Sequence, residues 1–153
     1  MLGIGDRHLE NLMIDERGHM FHVDFGFIFG KNPPSKNVMP PIRICVEMIE
    51  CMGGFESKGY KKFIEKCVIA FKFLRTYSKY ILDLLYLMIH AEIDGLPADD
   101  SEEILNQIYQ KFLPEIKDAQ VVEEEFIKLI TESINSFFAR VFDIGHNISQ
   151  MLK

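Results

Sequence analysis

Hydrophobic residues recur at spacings of three and four over most of the chain after about residue 44, the spacing of amphipathic helices. Residues 44–52 predict a short helix. Gly53-Gly54 predicts its end, because glycine readily adopts the left-handed conformation that closes helices. Ser57 is a suitable N-cap for the next helix. The helical part of the chain therefore begins with one short helix, followed by a longer one.

The longer helical pattern covers roughly thirty residues after Ser57, with a bend near Arg75–Tyr77. Phe73 and Tyr80 widen its apolar face, so we expect this element to be central and buried on several sides. Its recurring apolar positions are Tyr60, Phe63, Ile64, Cys67, Phe71, Leu74, Ile81, Leu84, Leu85 and Met88.

Further helical stretches follow towards the end of the chain. Asp100 and Glu103 have the spacing of a capping box, which predicts a helix that continues to about Phe112 and is ended by Pro114. Residues 119–133 and 134–152 predict two more helical stretches, and the pattern leaves open whether they are continuous.

The amino-terminal part has a different pattern. Two short apolar runs, at 12–14 and 20–23, flank a turn in which Gly18 can take the positive φ that tight turns require. This pattern predicts a β-hairpin. Residues 24–41 are rich in glycine and proline, which predicts a loop with little regular structure. The predicted fold class is mostly α with a small β-hairpin.

Polar side chains stand at both ends of the predicted hairpin. Asn11 precedes it, Asp24 follows it within Asp-Phe-Gly, and Asp6 lies five residues before Asn11. That interval is the Asp-to-Asn spacing of a kinase catalytic loop. A tight hairpin would bring Asn11 and Asp24 together as oxygen ligands for a magnesium ion that bridges ATP phosphates. The pattern therefore predicts ATP-dependent phosphoryl transfer.

The order of the motif differs from that of protein kinases, which carry His-Arg-Asp and a later Ala-Pro-Glu. Here the order is Asp6-Arg7-His8, and no Ala-Pro-Glu follows. Gly-Asp-Arg-His-x-x-Asn at residues 5–11, followed by His-Val-Asp-Phe-Gly at 22–26, resembles the phosphatidylinositol 3-/4-kinase family. The resemblance runs over nearly the whole chain and is closest to the class III phosphatidylinositol 3-kinases, the vacuolar protein-sorting type. Softer matches to that class lie at 47–48, 52–54, 74–78, 87–88 and 132–133.

The resemblance implies that residues 1–153 form the C-terminal lobe of a protein-kinase-like fold. It places the catalytic loop at residues 3–11, the activation loop at 24–41 and a helical remainder at 44–153. A kinase also needs a Gly-rich phosphate loop and a strand lysine ahead of its catalytic loop. Neither precedes residue 3. We therefore expect the N-lobe to be missing and this chain alone to be inactive.

The resemblance also implies roles for the polar residues. Asp6 and His8 are the candidates for positioning the inositol hydroxyl group and taking its proton, and the sequence leaves open which of them is the base. Asn11 and Asp24 are the expected ligands of Mg²⁺ or Mn²⁺.

The hairpin itself supplies apolar candidates beside the metal ligands. By similarity to the family, Met13 and Val23 form the floor of the adenine pocket of ATP, and the alternative is that they belong to an ordinary core. His22 points away from Val23 if the strand is regular, and we interpret it as structural.

The loop after Asp24 carries few cationic residues. They are Lys31 and Lys36, with Arg43 just beyond the loop. Kinases that accept already phosphorylated inositol lipids resemble one another in a dense basic cluster here, because each extra phosphate needs cationic donors. A sparse loop favours plain phosphatidylinositol, and the alternative is that these charges only keep the surface soluble.

Composition sets limits on other functions. The chain has 153 residues, 48% hydrophobic content and a formal charge of −6, which favours a folded domain and argues against nucleic-acid binding. Its start does not have the pattern of a signal peptide, and no apolar run is long enough to predict a membrane-spanning helix. The three cysteines lie among apolar residues of predicted helices, so we expect buried thiols in a reducing compartment.

The predicted function is that of a phosphatidylinositol 3-kinase using ATP with Mg²⁺ or Mn²⁺. A phosphatidylinositol 4-kinase and a non-catalytic interaction or regulatory fragment are the alternatives. The resemblance implies work in endosomal trafficking and autophagy, and a cytoplasmic enzyme peripheral on endosomal or autophagosomal membranes. It also implies a regulatory kinase-like subunit and a coiled-coil subunit, bound through regions that this chain lacks.

The end of the chain predicts a further contact. In residues 134–152, apolar side chains fall near one face of a helix, and that face either packs on its own domain or meets the bilayer interface. The resemblance favours peripheral membrane contact. The apolar positions are Ile134, Phe137, Phe138, Val141, Phe142, Ile148 and Leu152.

Overall fold

The computed structural model describes residues 1–7, 9–32, 40–91 and 100–151, apart from the side chains of residues 9, 90 and 136–151. Within these ranges the fold is mostly helical with one antiparallel hairpin, which confirms the predicted fold class. The strands are β1 (Leu12–Ile14) and β2 (Met20–His22), and the helices are α1 (Val46–Cys51), α2 (Lys58–Thr76), α3 (Ser78–Leu87), α4 (Ser101–Gln110) and α5 (Ala119–Met151). Short 3₁₀ turns lie at Leu9–Asn11 and Ile89–Ala91.

The predicted end of α1 and the predicted N-cap of α2 are both confirmed. Gly53 and Gly54 both have positive φ, of 92° and 86°, and their amides donate to carbonyl groups of the last turn of α1. The Ser57 hydroxyl accepts a hydrogen bond from the amide of Tyr60 at 3.0 Å, which is the N-cap contact expected at the start of α2.

The long helical pattern is divided at Tyr77, where α2 gives way to α3, so the predicted bend is confirmed. The expectation that this element is buried on several sides is wrong. Phe73 is 63% exposed and Tyr80 is 67% exposed. Helix α3 packs on the hydrophobic cluster through residues such as Leu85, and the opposite side of the helix faces outward.

The capping box predicted for α4 is not formed. Asp100 makes no side-chain cap bond within the described residues, because its φ of −105° and ψ of 3° are not the extended conformation of a capping residue. Glu103 instead accepts a hydrogen bond from Gln107 one turn later. Helix α4 ends at Gln110, ahead of Pro114, and α5 is one continuous helix.

The chain divides into two compact units. The first comprises Met1–Val38 and Leu74–Glu115, which together contain the hairpin, α3 and α4. Its core joins the segment after the hairpin to both helices, and the buried members are Phe29, Leu85, Ile89, Ile104, Ile108 and Phe112. Arg75 fixes the end of α4, because its guanidinium group donates to the carbonyl oxygens of Phe112 at 2.9 Å and Leu113 at 3.1 Å.

The second unit comprises Met39–Phe73 and Ile116–Lys153. The rings of Phe71 and Phe126 stack with centroids 4.1 Å apart and planes 3° from parallel. Among the described side chains of this unit, the buried apolar ones include Ile44, Cys45, Ile49, Val68, Phe71, Val122, Phe126, Ile130 and Ile134. Of the apolar residues predicted to form one helical face in 134–152, only Ile134 has a described side chain, and it is buried.

The cysteine expectation is only partly correct. Cys45 is buried and Cys67 is partly buried, whereas Cys51, the last residue of the short helix α1, is exposed. Burial is the first cause of the raised pKa of the Cys67 thiol. Among the described helices, none is both long and apolar enough to cross a membrane.

Candidate active site at the hairpin

The register of the hairpin places its two ends side by side. Leu12 pairs with His22 and Ile14 with Met20, and the amide of Val23 continues the ladder by donating to the Asn11 carbonyl at 3.1 Å. Asp24 is therefore the residue next to the partner of Asn11. The predicted approach of the two ends of the hairpin is confirmed for the main chain, and the shared metal site of Asn11 and Asp24 stays a prediction.

The turn of the hairpin is held by one carboxylate. Asp15 accepts hydrogen bonds from the amides of Arg17 at 2.9 Å and His19 at 2.8 Å, and it also contacts the His19 ring at 2.8 Å. The hydrogen bond from the His19 ring is the first cause that lowers the pKa of the Asp15 carboxyl. Gly18 takes φ of 81°, as the turn requires. These local contacts fix the register and hence the pairing at the other end.

Asn11 is oriented by the main chain of Asp6, five residues earlier in the predicted catalytic loop. Its side chain is buried, and its Nδ2 donates to the main-chain carbonyl of Asp6 at 3.0 Å. That bond uses the donor end of the amide and leaves Oδ1 as its acceptor. Asp6 itself has φ of 44°, in the left-handed region that costs energy for a residue other than glycine. Such strain is common where a backbone is held for function.

The main chain and the side chain of Asp24 are each held by a hydrogen bond to a residue two positions away. One carboxylate oxygen accepts a hydrogen bond from the Gly26 amide at 2.8 Å, and its own amide donates to the His22 ring at 3.3 Å. Asp24 is exposed, so its carboxylate can reach a ligand outside the chain. The His22 and Phe25 rings also contact each other, with centroids 5.6 Å apart.

The start of the predicted catalytic loop is hydrogen-bonded to the segment that follows Asp24. The amide of Gly5 donates to the Phe27 carbonyl at 2.7 Å, and the amide of Gly30 donates to the Gly3 carbonyl at 2.8 Å. A side chain at Gly5 has no room, since its Cβ would lie 2.1 Å from the Lys31 carbonyl oxygen. The loop carrying Asp6 and the segment after Asp-Phe-Gly therefore form one hydrogen-bonded layer.

Two features of this region are missed by sequence reasoning. Lys111, at the end of α4, places its ammonium group against the catalytic loop, 2.7 Å from where a Cβ on Gly3 would stand. Partial burial and then the Arg7 guanidinium lower the pKa of Lys111. Phe21 shares a hairpin face with Met13, its paired residue, and both are exposed. Strand alternation could have indicated Phe21, whereas no local signal indicates Lys111.

A sequence model of the family described as "Phosphatidylinositol 3- and 4-kinase" matches residues 1–95, more than half of the chain and all of the hairpin site. The chain belongs to this family. The motif at residues 5–11 and the Asp-Phe-Gly segment lie inside the match, so the resemblance inferred from them is confirmed.

Named relatives of this family match nearly the whole chain. It is 41% identical over 150 residues to the phosphatidylinositol 3-kinase, root isoform, of Glycine max, a match that covers 98% of this chain and 18% of the relative. For the phosphatidylinositol 3-kinase pik3 of Schizosaccharomyces pombe the identity is 36% over 153 residues, with coverage of 100% and 19%. For the phosphatidylinositol 3-kinase VPS34 of Arabidopsis thaliana it is 39% over 150 residues, with coverage of 98% and 18%. The chain thus spans about a fifth of the length of these relatives.

In this phosphatidylinositol 3-/4-kinase chain, the Asn11 side chain bonds the main chain of Asp6, and the main chain of Asn11 bonds that of Val23, the residue before Asp24. The described residues include no cluster of three or more His, Cys, Asp or Glu side chains suited to a metal ion. An amide oxygen and a carboxylate still fit Mg²⁺, which commonly takes only one or two protein ligands and fills its shell with phosphate oxygens and water. The donor chemistry of Asn11 and Asp24 therefore fits the metal expected of the family.

For some of the remaining predicted site residues the structure gives the exposure, and the others lie outside the described residues. Lys31 is exposed in the first unit, and Arg43 is partly buried in the second. His8 and Lys36 lie outside the described residues. Met13 and Val23 are 52% and 44% exposed, so neither belongs to the core of the described structure.

Proposed function

We propose that the protein containing this chain is a phosphatidylinositol 3-kinase, which transfers the γ-phosphoryl group of ATP to the 3-hydroxyl of phosphatidylinositol. The observation that carries the proposal is the pairing of Asn11 with Val23, the residue before Asp24, together with the hydrogen bond from the Asn11 side chain to the Asp6 carbonyl. The relatives named as phosphatidylinositol 3-kinases support the assignment to lipid phosphorylation at this ring position.

Asn11 and Asp24 would hold the Mg²⁺ or Mn²⁺ that accompanies ATP. When bound, the metal would supply positive charge that neutralises the negative charge developing on the transferred phosphoryl group. The chain's own contribution is orientation. The Asp6 carbonyl holds the Asn11 amide, and the Gly26 amide holds one oxygen of Asp24. Pre-orienting both ligands reduces the ordering that the bound state requires.

The nucleotide base would lie on the exposed face of the hairpin that carries Met13 and Val23. The register supports this role, since residues paired directly across a hairpin share a face and alternate residues return to it. Met13, Val23 and the proposed metal ligand Asn11 therefore lie on one face of the hairpin. Their exposure leaves an apolar surface suited to a planar base.

Asp6 and His8 would act on the lipid hydroxyl. One of them would accept its proton as the hydroxyl oxygen bonds to the γ-phosphorus and the bond from that phosphorus to the leaving ADP breaks. The other would position the hydroxyl or stabilise charge on the transferred group. The left-handed conformation of Asp6 supports a functional constraint at this position.

The lipid headgroup would meet the loop that carries Lys31 and Lys36, with Arg43 near its end. Three cationic residues suit the single diester phosphate of phosphatidylinositol better than a polyphosphorylated headgroup. We further propose that the enzyme is cytoplasmic and acts in endosomal trafficking and autophagy, peripherally on those membranes. Contact with the bilayer would come from the end of α5, and regulatory kinase-like and coiled-coil subunits would bind elsewhere in the longer protein.

A chimeric kinase tests the proposal. Residues 1–153 replace the matching segment of the Glycine max root isoform, and transfer of radiolabelled phosphate from ATP to phosphatidylinositol vesicles is measured with Mn²⁺ or Mg²⁺. We expect metal-dependent lipid labelling that Asp24→Ala abolishes. Labelling that persists in Asp24→Ala would contradict the proposed metal site.

A further inference from the structure

The His22 ring lies at the centre of the bend that follows strand β2. Its Nδ1 accepts a hydrogen bond from the main-chain amide of Asp24, two residues later, at 3.3 Å. The Asp24 carboxylate in turn accepts one from the amide of Gly26, again two residues later, at 2.8 Å. Side-chain acceptors that bond an amide two residues on mimic a turn of the backbone. The two contacts together set the direction of the chain on both sides of the Asp24 side chain.

The tautomer of His22 follows from this contact. Because Nδ1 accepts a hydrogen bond, the proton of the neutral ring resides on Nε2. That nitrogen is buried, and none of the described residues bonds to it. A buried donor without an acceptor is costly, and an apolar ring at this position would avoid the cost. The contribution of the imidazole within the described structure is therefore made at Nδ1, towards Asp24.

We propose that His22 is a positioning residue, whose Nδ1 holds the backbone of Asp24 and thereby limits the directions in which its carboxylate can point. This inference deepens the proposed function and rests on it, because it assigns to His22 the orientation of a proposed metal ligand. Groups that orient metal ligands have large effects on metal affinity without touching the metal.

The alternative is that the His22 ring has only a packing role. Its ring contacts Phe25 at 5.6 Å between centroids, with planes inclined at 58°, and any aromatic residue could preserve part of that contact. The two roles make different demands on the side chain. Positioning requires an acceptor at the place of Nδ1, whereas space filling requires only ring volume.

Three substitutions separate these demands. His22→Asn puts an amide oxygen close to the position of Nδ1, His22→Gln puts its polar end closer to that of Nε2, and His22→Phe keeps an aromatic ring without an acceptor. Each is made in the full 153-residue chain labelled with ¹⁵N. Amide exchange of Asp24 is measured by NMR, and Mn²⁺ is titrated while broadening of the Asn11 and Asp24 amide signals is followed. Thermal melting checks that each variant is folded.

His22→Asn is expected to match the parent in both measurements. In His22→Gln and His22→Phe, the Asp24 amide should exchange about fivefold faster, the effect of one net hydrogen bond. The same variants should need about tenfold more Mn²⁺ for equal broadening. If Asn and Gln behave alike, or if all three variants match the parent, His22 does not position Asp24.

The two readouts separate this inference from the function on which it rests. Parent chain whose Asn11 and Asp24 signals are unaffected by Mn²⁺ would overturn the proposed metal site, and with it the metal-related role of His22. Equal exchange rates in the Asn and Gln variants, together with normal Mn²⁺ broadening, would overturn the role of His22 alone.

Discussion

Gly5→Ala is the most informative single change at the catalytic loop, since it adds one methyl group beside Asp6. The new Cβ would lie 2.1 Å from the Lys31 carbonyl oxygen, 2.9 Å from Asn32 Oδ1 and 3.0 Å from Phe27 Cβ. The closest of these atoms belongs to the backbone and cannot rotate away. The loop and the segment after Asp-Phe-Gly must therefore separate.

The size of the effect follows from these distances. The contact with the Lys31 oxygen must lengthen from 2.1 Å to about 3.0 Å, a displacement of about 0.9 Å. It would also strain the hydrogen bond from the Gly5 amide to the Phe27 carbonyl, now 2.7 Å long. Overpacking of this kind costs about 1–3 kcal/mol of stability. A displacement near 1 Å at a reacting group costs about 100-fold in rate.

Two assays measure these consequences. Denaturant unfolding of the 153-residue chain gives the stability change, and lipid labelling by the chimeric kinase gives turnover per folded molecule. The matched control is Gly59→Ala in helix α2, whose Cβ would stand 2.4 Å from the Met52 carbonyl oxygen. That variant should lose stability while keeping its turnover. Parent-like turnover in Gly5→Ala would refute the inference that the packing of this loop sets the position of Asp6.

Further changes test the proposed metal ligands, the role of Asp6, the hydrogen bonds of Arg75 and the end of α5. Asn11→Ala and Asp24→Ala should each abolish lipid labelling by the chimera and leave the circular dichroism spectrum unchanged, because each removes a ligand oxygen and little apolar volume. Asp6→Asn should lower kcat while changing KM for ATP little, because its role arises in the transfer step. Arg75→Met should destabilise the 153-residue chain by about 2 kcal/mol in denaturant unfolding, because two carbonyl oxygens lose a charged donor. Deleting residues from Ile144 onward should lower activity of the chimera on vesicles and spare its basal ATP hydrolysis.

For three of these changes, a specific result would contradict the role proposed for the residue or segment. Asp6→Asn that mainly raised KM for ATP would remove the catalytic role. Lys79→Met is the control for Arg75→Met, because its ion pair with Asp83 is exposed and should contribute nothing measurable. Equal stability of the two variants would contradict the bracing role of Arg75. Equal loss of vesicle activity and ATP hydrolysis in the deletion would make the end of α5 purely structural.

The hairpin and the helix ends could be predicted because their causes are local. The turn at Gly18 and the glycines after α1 need positive φ, which is legible from residue type. The Ser57 cap needs only an amide three residues later. The pairing of Asn11 with Val23 follows once the turn fixes the register.

Other features depend on what surrounds a residue, which the sequence pattern does not contain. Periodicity marks Phe73 and Tyr80 as apolar positions on helices, but it does not say whether anything covers them, and both are exposed. Asp100 has the spacing of a capping residue without its backbone conformation. Lys111 meets Gly3 across more than a hundred residues of chain, and the contact exists only because α4 packs beside the loop.

The most direct test of the proposed function is the ring position of the phosphate in the lipid product. The chimera carrying residues 1–153 phosphorylates plain phosphatidylinositol vesicles, and the product is deacylated and separated by chromatography beside 3- and 4-phosphate standards. We expect the 3-phosphate isomer, formed only with Mg²⁺ or Mn²⁺ and absent with Asp24→Ala. A 4-phosphate product, or no lipid product from a folded chimera, would contradict it.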